Sequence, residues 1–251
     1  MKNALYIAAK APRVNVAKTR LGRAIGHDNA VDLYKAFLSD LALRFADAPF
    51  ELGWYITPPD AWKDIAPLVD HGRLAPRVSI QSEGDWTERQ RQLFRGRAAR
   101  DEERVVLIAS DSPHLTVGVV EEAFRQLDRH ELVFGPTYDG GYYLIGMREF
   151  HDVLKGVPMS TSTVLDDITT RAGEAGLSIG WVDTTFDVDE VEDLGHLRRL
   201  AATRDDLAAT RTALEALGLD RDVRRTSNGT QPIEPGPMTG RTPPEPREES
   251  R

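Results

Sequence analysis

The residues Arg104 to Ala109, Arg-Val-Val-Leu-Ile-Ala, form an unbroken run rich in β-branched side chains that ends in Ser110-Asp111-Ser112-Pro113. A run with no polar alternation is the pattern of a strand covered on both faces, as in a parallel sheet whose crossover helices lie on either side. Pro113 has no N–H to give to a ladder, so the strand stops there. Further segments that read as strands occur at Ala4 to Ala9, Phe50 to Ile56, Val78 to Gln81 and Leu132 to Phe134. Between them lie segments of helical period: Val31, Tyr34, Phe37, Leu38, Leu41 and Phe45 recur at three- and four-residue spacing, and Ala61–Val69 and Val117–Leu127 behave alike. Strand alternating with helix implies right-handed crossovers, and so an α/β, doubly wound, mostly parallel sheet with helices on both faces.

The alternation changes after Asp139-Gly140-Gly141, where Tyr142 to Met147 runs on with no helix before it. That predicts an antiparallel or edge strand bordering a site. Asp85 to Arg97 is polar but keeps Trp86, Arg89 and Leu93 in helical register, which predicts a surface helix or a mobile loop with a helical end. Ser160 to Ser162 can cap a helix running to about Ala175, Leu177 to Val182 reads as a strand, and helices follow from about Val191 and over Asp205–Leu217. At 251 residues and 40% apolar composition there is ample core for such a domain. From about Asp220 bulky apolar residues nearly vanish, and six of the 15 prolines fall between Pro232 and Pro246. Such a stretch cannot bury enough area to offset roughly 1–2 kcal/mol of backbone entropy per residue. The expected organisation is one domain over 1–219 and a disordered tail over 220–251.

A formal charge of −8 argues against nucleic acid or an anionic membrane as partner, since both attract basic surfaces. The absence of cysteine excludes disulfides and thiolate chemistry, and the first apolar run is too short for a membrane span or a leader. A cytoplasmic protein is the expectation, and the oligomeric state is left open.

In a doubly wound sheet, ligands bind outside the carboxyl ends of the strands. The basic stretch Ala17-Lys18-Thr19-Arg20-Leu21 follows the first strand, and with Lys10 it can supply the donors and positive charge that a polyphosphate needs. It contains neither G-x-x-x-x-G-K-[ST] nor G-x-G-x-x-G, so a phosphate there would be held largely by side chains. A solvated basic loop would have the same sequence. Asp111, Asp139, Asp187 and Asp189 should collect at the same strand ends. Two such carboxylates plus substrate phosphates suffice for Mg²⁺ or Mn²⁺, because hard cations take oxygen ligands and keep several waters. Asp111 is the strongest single candidate, and in extended backbone Asp187 and Asp189 would point to one face. Each is also compatible with capping a turn or helix, Asp187 and Asp189 more so than Asp111. The glycines of Asp139-Gly140-Gly141 permit close approach of a ligand, and Ser160, Thr161 and Ser162 can offer hydroxyls to a phosphate or sugar. The six histidines are scattered singly, without metal spacing.

Together Ala9-Lys10-Ala11-Pro12, Lys18-Thr19-Arg20-Leu21, Ser110-Asp111-Ser112-Pro113, Asp139-Gly140-Gly141-Tyr142-Tyr143, Ser160-Thr161-Ser162 and Asp187-Val188-Asp189 resemble a family of bacterial transferases, often labelled glycosyltransferases. That family is related to 2-phospholactate guanylyltransferase and the molybdenum-cofactor nucleotidyltransferases. The resemblance spans about Ala4 to Leu200 and implies the GT-A type nucleotide-diphospho-sugar transferase fold. It further implies that Lys10, Lys18 and Arg20 meet nucleotide phosphates, that Asp111 and Asp189 hold the metal, and that the glycine–tyrosine turn and the Ser160 region face a small-molecule acceptor. The chain departs from the pattern in three places: Val14-Asn15 replaces a usual Pro-Gly, Thr87 a usual Gly, and His114 a usual second Asp. The substrate would be a nucleoside triphosphate, giving nucleotidyl transfer to a phosphorylated acceptor, or a nucleotide sugar, giving glycosyl transfer. The accumulation of positive residues favours the triphosphate. A nucleotide-binding module that has lost turnover is the non-enzymatic alternative.

Overall fold

The structure, a computed structural model, describes residues 2–70, 77–159 and 161–220. Ser160 and the segment after Asp220, where a tail is expected, lie outside the described residues. The strands are β1 (Asn3–Lys10), β2 (Glu51–Thr57), β3 (Arg77–Ile80), β4 (Arg104–Ala109), β5 (Leu132–Pro136), β6 (Tyr142–Met147) and β7 (Ile179–Trp181). The helices are α1 (Thr19–Ile25), α2 (His27–Phe45), α3 (Trp62–Val69), α4 (Trp86–Arg95), α5 (Val117–Gln126), α6 (Val164–Glu174), α7 (Leu194–Ala201) and α8 (Ala208–Ala216).

The sheet order is β3-β2-β1-β4-β6-β5-β7. Among the described strands β6 alone runs antiparallel, against both β4 and β5, so it lies inside the sheet and not at its edge. Successive residues of each strand divide between two cores, as the pleat requires. Leu5, Ile7, Ile56, Val106, Ile108 and Leu144 pack with Leu33, Phe37, Leu41, Val120 and Leu197 on one face. Ala4, Tyr6, Tyr55, Leu107, Phe134 and Ile145 pack with Leu93, Phe94, Leu165 and Ile168 on the other. The expected doubly wound, mostly parallel sheet is what forms. Its central strand β4 is buried throughout apart from Ala109, and truncating Ile108 to Ala there would cost about 2–5 kcal/mol, because the neighbours cannot collapse into the space.

Three local expectations are corrected. The basic stretch is not all loop: Thr19, Arg20 and Leu21 form the first turn of α1, because Leu21 is driven fully into the core. α4 is more than a surface helix, since Thr87, Gln90, Leu93 and Phe94 are buried against the sheet. The cap of α6 is Thr163, not Ser160 to Ser162, and its side chain makes no capping hydrogen bond to the backbone of the helix. Asp166 and Asp167 there complement the positive helix end instead.

Two parts of the chain far apart in sequence, α2 and α8, are joined by a buried carboxylate. Asp40 in α2 accepts from Ala209 N (3.0 Å) and Thr210 N (2.8 Å), which are orphan donors at the start of α8. α8 thereby closes the α2 side of the sheet.

Candidate functional site

A cleft of about 550 Å³ opens where β1 and β4 end, with walls from α1, α4, the turn before β6 and the segment before α7. Lys10, Lys18, Thr19, Arg20, Asp111, Asp139, Gly141, Thr161, Ser162, Asp187 and Asp189 all line it. Gly140 is absent from the lining but shapes the wall. Its φ is +91°, and a Cβ there would stand 2.0 Å from the Ser162 carbonyl oxygen, so only glycine lets the turn pack on the Ser162 backbone.

The charged centre is built around Lys18. The chain reaches it by an unusual route, because Lys18 itself adopts a left-handed backbone (φ 50°) before α1. A non-glycine residue held this way stores about 1–3 kcal/mol of strain, and the contacts of its side chain offset that. The side chain is only 2% exposed. Its Nζ donates to Val188 O at 2.7 Å and Asp189 Oδ1 at 3.2 Å and pairs with Asp111. Those partners take all three ammonium protons. Lys18 therefore does not project freely toward a phosphate; it ties Asp111, at the end of β4, to the 187–189 segment. The Asp111 carbonyl binds the same segment, accepting from Val188 N at 2.9 Å. Burial opposes the charge on Lys18, but Asp111 and Asp189 outweigh it and hold the ammonium above its ordinary value.

The carboxylates differ in state. Asp189 is half-buried, yet Lys18 and Arg20 keep it below the ordinary carboxylate value despite that burial. Asp187 is pushed up to about 7, by burial first and then by the charges of Asp111 and Asp189, although Ser112 Oγ donates to it. A carboxyl with that value is one that either a proton or a cation can neutralise. The carboxylate oxygens of Asp111, Asp187 and Asp189 are donors of the kind that fits Mg²⁺ or Mn²⁺. Among the described residues no group of three or more His, Cys, Asp or Glu forms a ready cage. A cation here would thus be held by about two carboxylates and completed by substrate oxygens.

Arg20 is exposed, paired with Asp189 and reaching Glu190 at 3.4 Å. Asp139 is chiefly a turn-former, with Oδ1 accepting from Thr137 Oγ1 (2.5 Å) and Gly141 N (3.1 Å).

The departures from the family pattern acquire reasons. Asn15 has φ 63°, a left-handed conformation that asparagine tolerates better than most residues, so it supplies the bend for which a glycine is usual. His114 is turned away from the cleft. It stacks on Phe186 at 4.2 Å between ring centroids and shares a hydrogen bond with Thr185 Oγ1 at 2.7 Å. Burial, then Arg204 and Arg44, lower its value to about 4. Thr87 is buried, donating to Val157 O at 3.1 Å, and so pins α4 to the loop that carries Met159 and Thr161.

Sequence reasoning missed Tyr34, Gln81, Trp86, Arg89, Gln90, Thr137 and Met159 as cleft residues. Tyr34 reads as a core position because it is one, yet its hydroxyl meets Ser110 Oγ at 2.8 Å and accepts from Lys10 N at 3.1 Å at the cleft floor. The residues of α4 carried no motif, and only the packing turns them inward.

Residues 57–161 match the model of a family described as "Uncharacterized protein conserved in bacteria" (DUF2064). Among curated proteins none matches the chain. Among solved structures, a provisionally named nucleotide-diphospho-sugar transferase from Desulfovibrio desulfuricans G20 is 27% identical, with a TM-score of 0.78 over 88% of this chain and 100% of that one. A cytidylyltransferase from Leptospira borgpetersenii is 12% identical, TM-score 0.54, over 92% of this chain and 100% of that one. CMP:2-keto-3-deoxy-manno-octonic acid synthetase complexed with CTP is 13% identical, TM-score 0.51, over 80% and 99%. The fold is that of the nucleotide-diphospho-sugar transferases, and the likeness supports a transferase, as the sequence resemblance implied. The chain's likeness to a conserved bacterial family runs from the last residue of β2 to Thr161 in the loop before α6.

Proposed function

We propose that the protein is a metal-dependent nucleotidyltransferase, taking a nucleoside triphosphate and a small phosphorylated acceptor. The observation that carries this reading is the meeting of Lys10, Lys18, Arg20, Asp111, Asp187 and Asp189 in one cleft at the strand ends. The synthetase with CTP and the cytidylyltransferase, both of this fold, agree with a triphosphate. In such a reaction an acceptor oxygen bonds to the α-phosphorus as the bond to the pyrophosphate oxygen breaks, so negative charge builds on the leaving group. Lys10 and Arg20 stand where they can meet that charge. Lys18 acts one step back, keeping Asp111 and Asp189 in position. Asp111 and Asp189 would hold Mg²⁺ or Mn²⁺, which when bound would supply positive charge to the phosphate oxygens.

A second reading, glycosyl transfer from a nucleotide sugar, is favoured by the likeness to the Desulfovibrio protein. Calorimetric titration with triphosphate, monophosphate and nucleotide sugar, with Mg²⁺ and then with chelator, separates the two. Nucleotidyl transfer predicts that the triphosphate binds tightest and that Arg20→Ala weakens it by about 1.5–3 kcal/mol more than the monophosphate, since charge-assisted bonds to outer phosphates are lost. A nucleotide sugar that outcompetes the triphosphate would replace this reading by the second, and nucleotide binding without metal-stimulated turnover would leave the non-enzymatic module.

A further inference from the structure

The α4 wall of the cleft contains polar groups that the reading above does not use. Gln90, in α4, is fully buried. Its Oε1 accepts from the Tyr142 hydroxyl at 3.0 Å, while its Nε2 has no partner among the described residues although it is shielded from solvent. A buried amide donor left unmade costs about 1–3 kcal/mol, and this one lies in the wall of an open cleft. Its neighbour Arg89 donates to Gly84 O (3.0 Å) and Gln81 Oε1 (3.2 Å), both uncharged. Two of the five guanidinium protons are thus used, and no carboxylate among the described residues pairs with it. That is unusual in this acidic chain, where the adjacent Arg91 is bound by both Glu88 and Asp152. Trp86 and Met159 supply the apolar walls.

From this we infer that Arg89 and Gln90 form an acceptor subsite for a small molecule bearing an oxyanion, a carboxylate or a phosphate, beside a hydroxyl or carbonyl oxygen. The guanidinium neutralises the oxyanion, and the Gln90 amide takes the neighbouring oxygen and so fills its empty donor. The inference deepens the transferase reading and rests on it only for the word acceptor. The nucleotide occupies the Lys10–Arg20 end and the acceptor reaches it from the α4 end, past Tyr142.

The test is calorimetric titration of the full chain with glycerol, glycerate and glycerol phosphate, in wild type, Arg89→Gln, Gln90→Leu and Arg20→Ala. Glycerate or glycerol phosphate is expected to bind more tightly than glycerol, and the tighter of the two identifies the oxyanion. Arg89→Gln should weaken that ligand at least tenfold, about the loss of one charge-assisted bond. Gln90→Leu should weaken it too, and because it also removes the acceptor of the Tyr142 hydroxyl its melting temperature is recorded beside the affinity. Arg20→Ala should weaken the triphosphate and not the oxyanion. The inference is overturned if neither oxyanion binds better than glycerol, if Arg20 and not Arg89 controls them, or if Arg89→Gln weakens the triphosphate equally. Arg89 lies partly exposed, so its variant folds and keeps the test decisive should Gln90→Leu not fold. A wild type that binds an oxyanion through Arg89 but no nucleotide would overturn the transferase reading and leave the subsite standing.

Discussion

At the scale of single residues, the cleft is a balance between buried charge and the partners that permit it. Asp111 pairs with Lys18 through its side chain and anchors Val188 through its backbone. Asp111→Asn is expected to weaken Mg²⁺-dependent nucleotide binding by roughly 1–3 kcal/mol, the loss of one charged partner, with the fold intact. If Mg²⁺-nucleotide affinity by calorimetry is unchanged, Asp111 serves structure alone. Asp187 gives a pH test. Its value near 7 in the folded chain lies above the roughly 3.9 of an unfolded aspartate. The folded state then holds the extra proton between about pH 4 and 7, so this group's favourable contribution is whole at low pH and is lost as pH rises through that window. In chelator, Asp187→Asn should leave the melting temperature unchanged near pH 4 and raise it at pH 8. An equal shift at both pH values would show that the carboxyl titrates normally.

At the scale of elements, the site depends on how the turn before β6 meets the loop before α6. The Gly140 carbonyl accepts from Leu165 N at 3.3 Å, and its missing side chain admits the Ser162 backbone. Gly176, after α6, also has a positive φ (+68°) but nothing within 4 Å of a would-be Cβ. Gly176→Ala should therefore cost only the left-handed penalty, about 1–2 kcal/mol. Gly140→Ala must in addition move backbone, and should destabilise more and weaken ligand binding as well. Equal melting-temperature losses for the two variants would mean the contact at Ser162 relaxes freely. α4 illustrates the same point from the other side. Its Asp85 cap, accepting from Glu88 N at 2.9 Å, is readable in sequence. That its inner face carries Gln90 and Arg89 into the cleft is not, because these polar residues interrupt the apolar stripe that would mark a buried face.

At the scale of the molecule, the described chain closes on itself before Asp220. Leu214 and Leu219 are in the core beside α2, and Leu219 N donates to Leu214 O at 2.7 Å. A chain ending at Asp220 should melt at the temperature of the full chain. One ending at Leu207 should be strongly destabilised, since it leaves the Asp40 carboxylate buried without the α8 donors. A lower melting temperature for the longer truncate would show that residues beyond 220 pack on the domain. Among the described residues no helix is long and apolar enough to cross a membrane.

The sequence by itself determined the layers: unbroken β-branched runs, helical stripes and their alternation are local patterns, and local patterns leave few topologies. It also marked which acids and bases end at the ligand edge, since strand ends are placed by the same alternation. Only the tertiary structure decided what those groups do there. Lys18 could be read as a phosphate ligand because a sequence shows charge but not partners, whereas folding brings Asp111 from one strand end and Val188 and Asp189 from a segment some 170 residues away onto its three protons. Asp187 and Asp189 are alike in sequence, yet burial beside Ser112 raises one and Lys18 with Arg20 lowers the other. Gln90 had no local signal at all. Its empty donor exists only because packing against Tyr142 removes the water that an exposed amide would have bound.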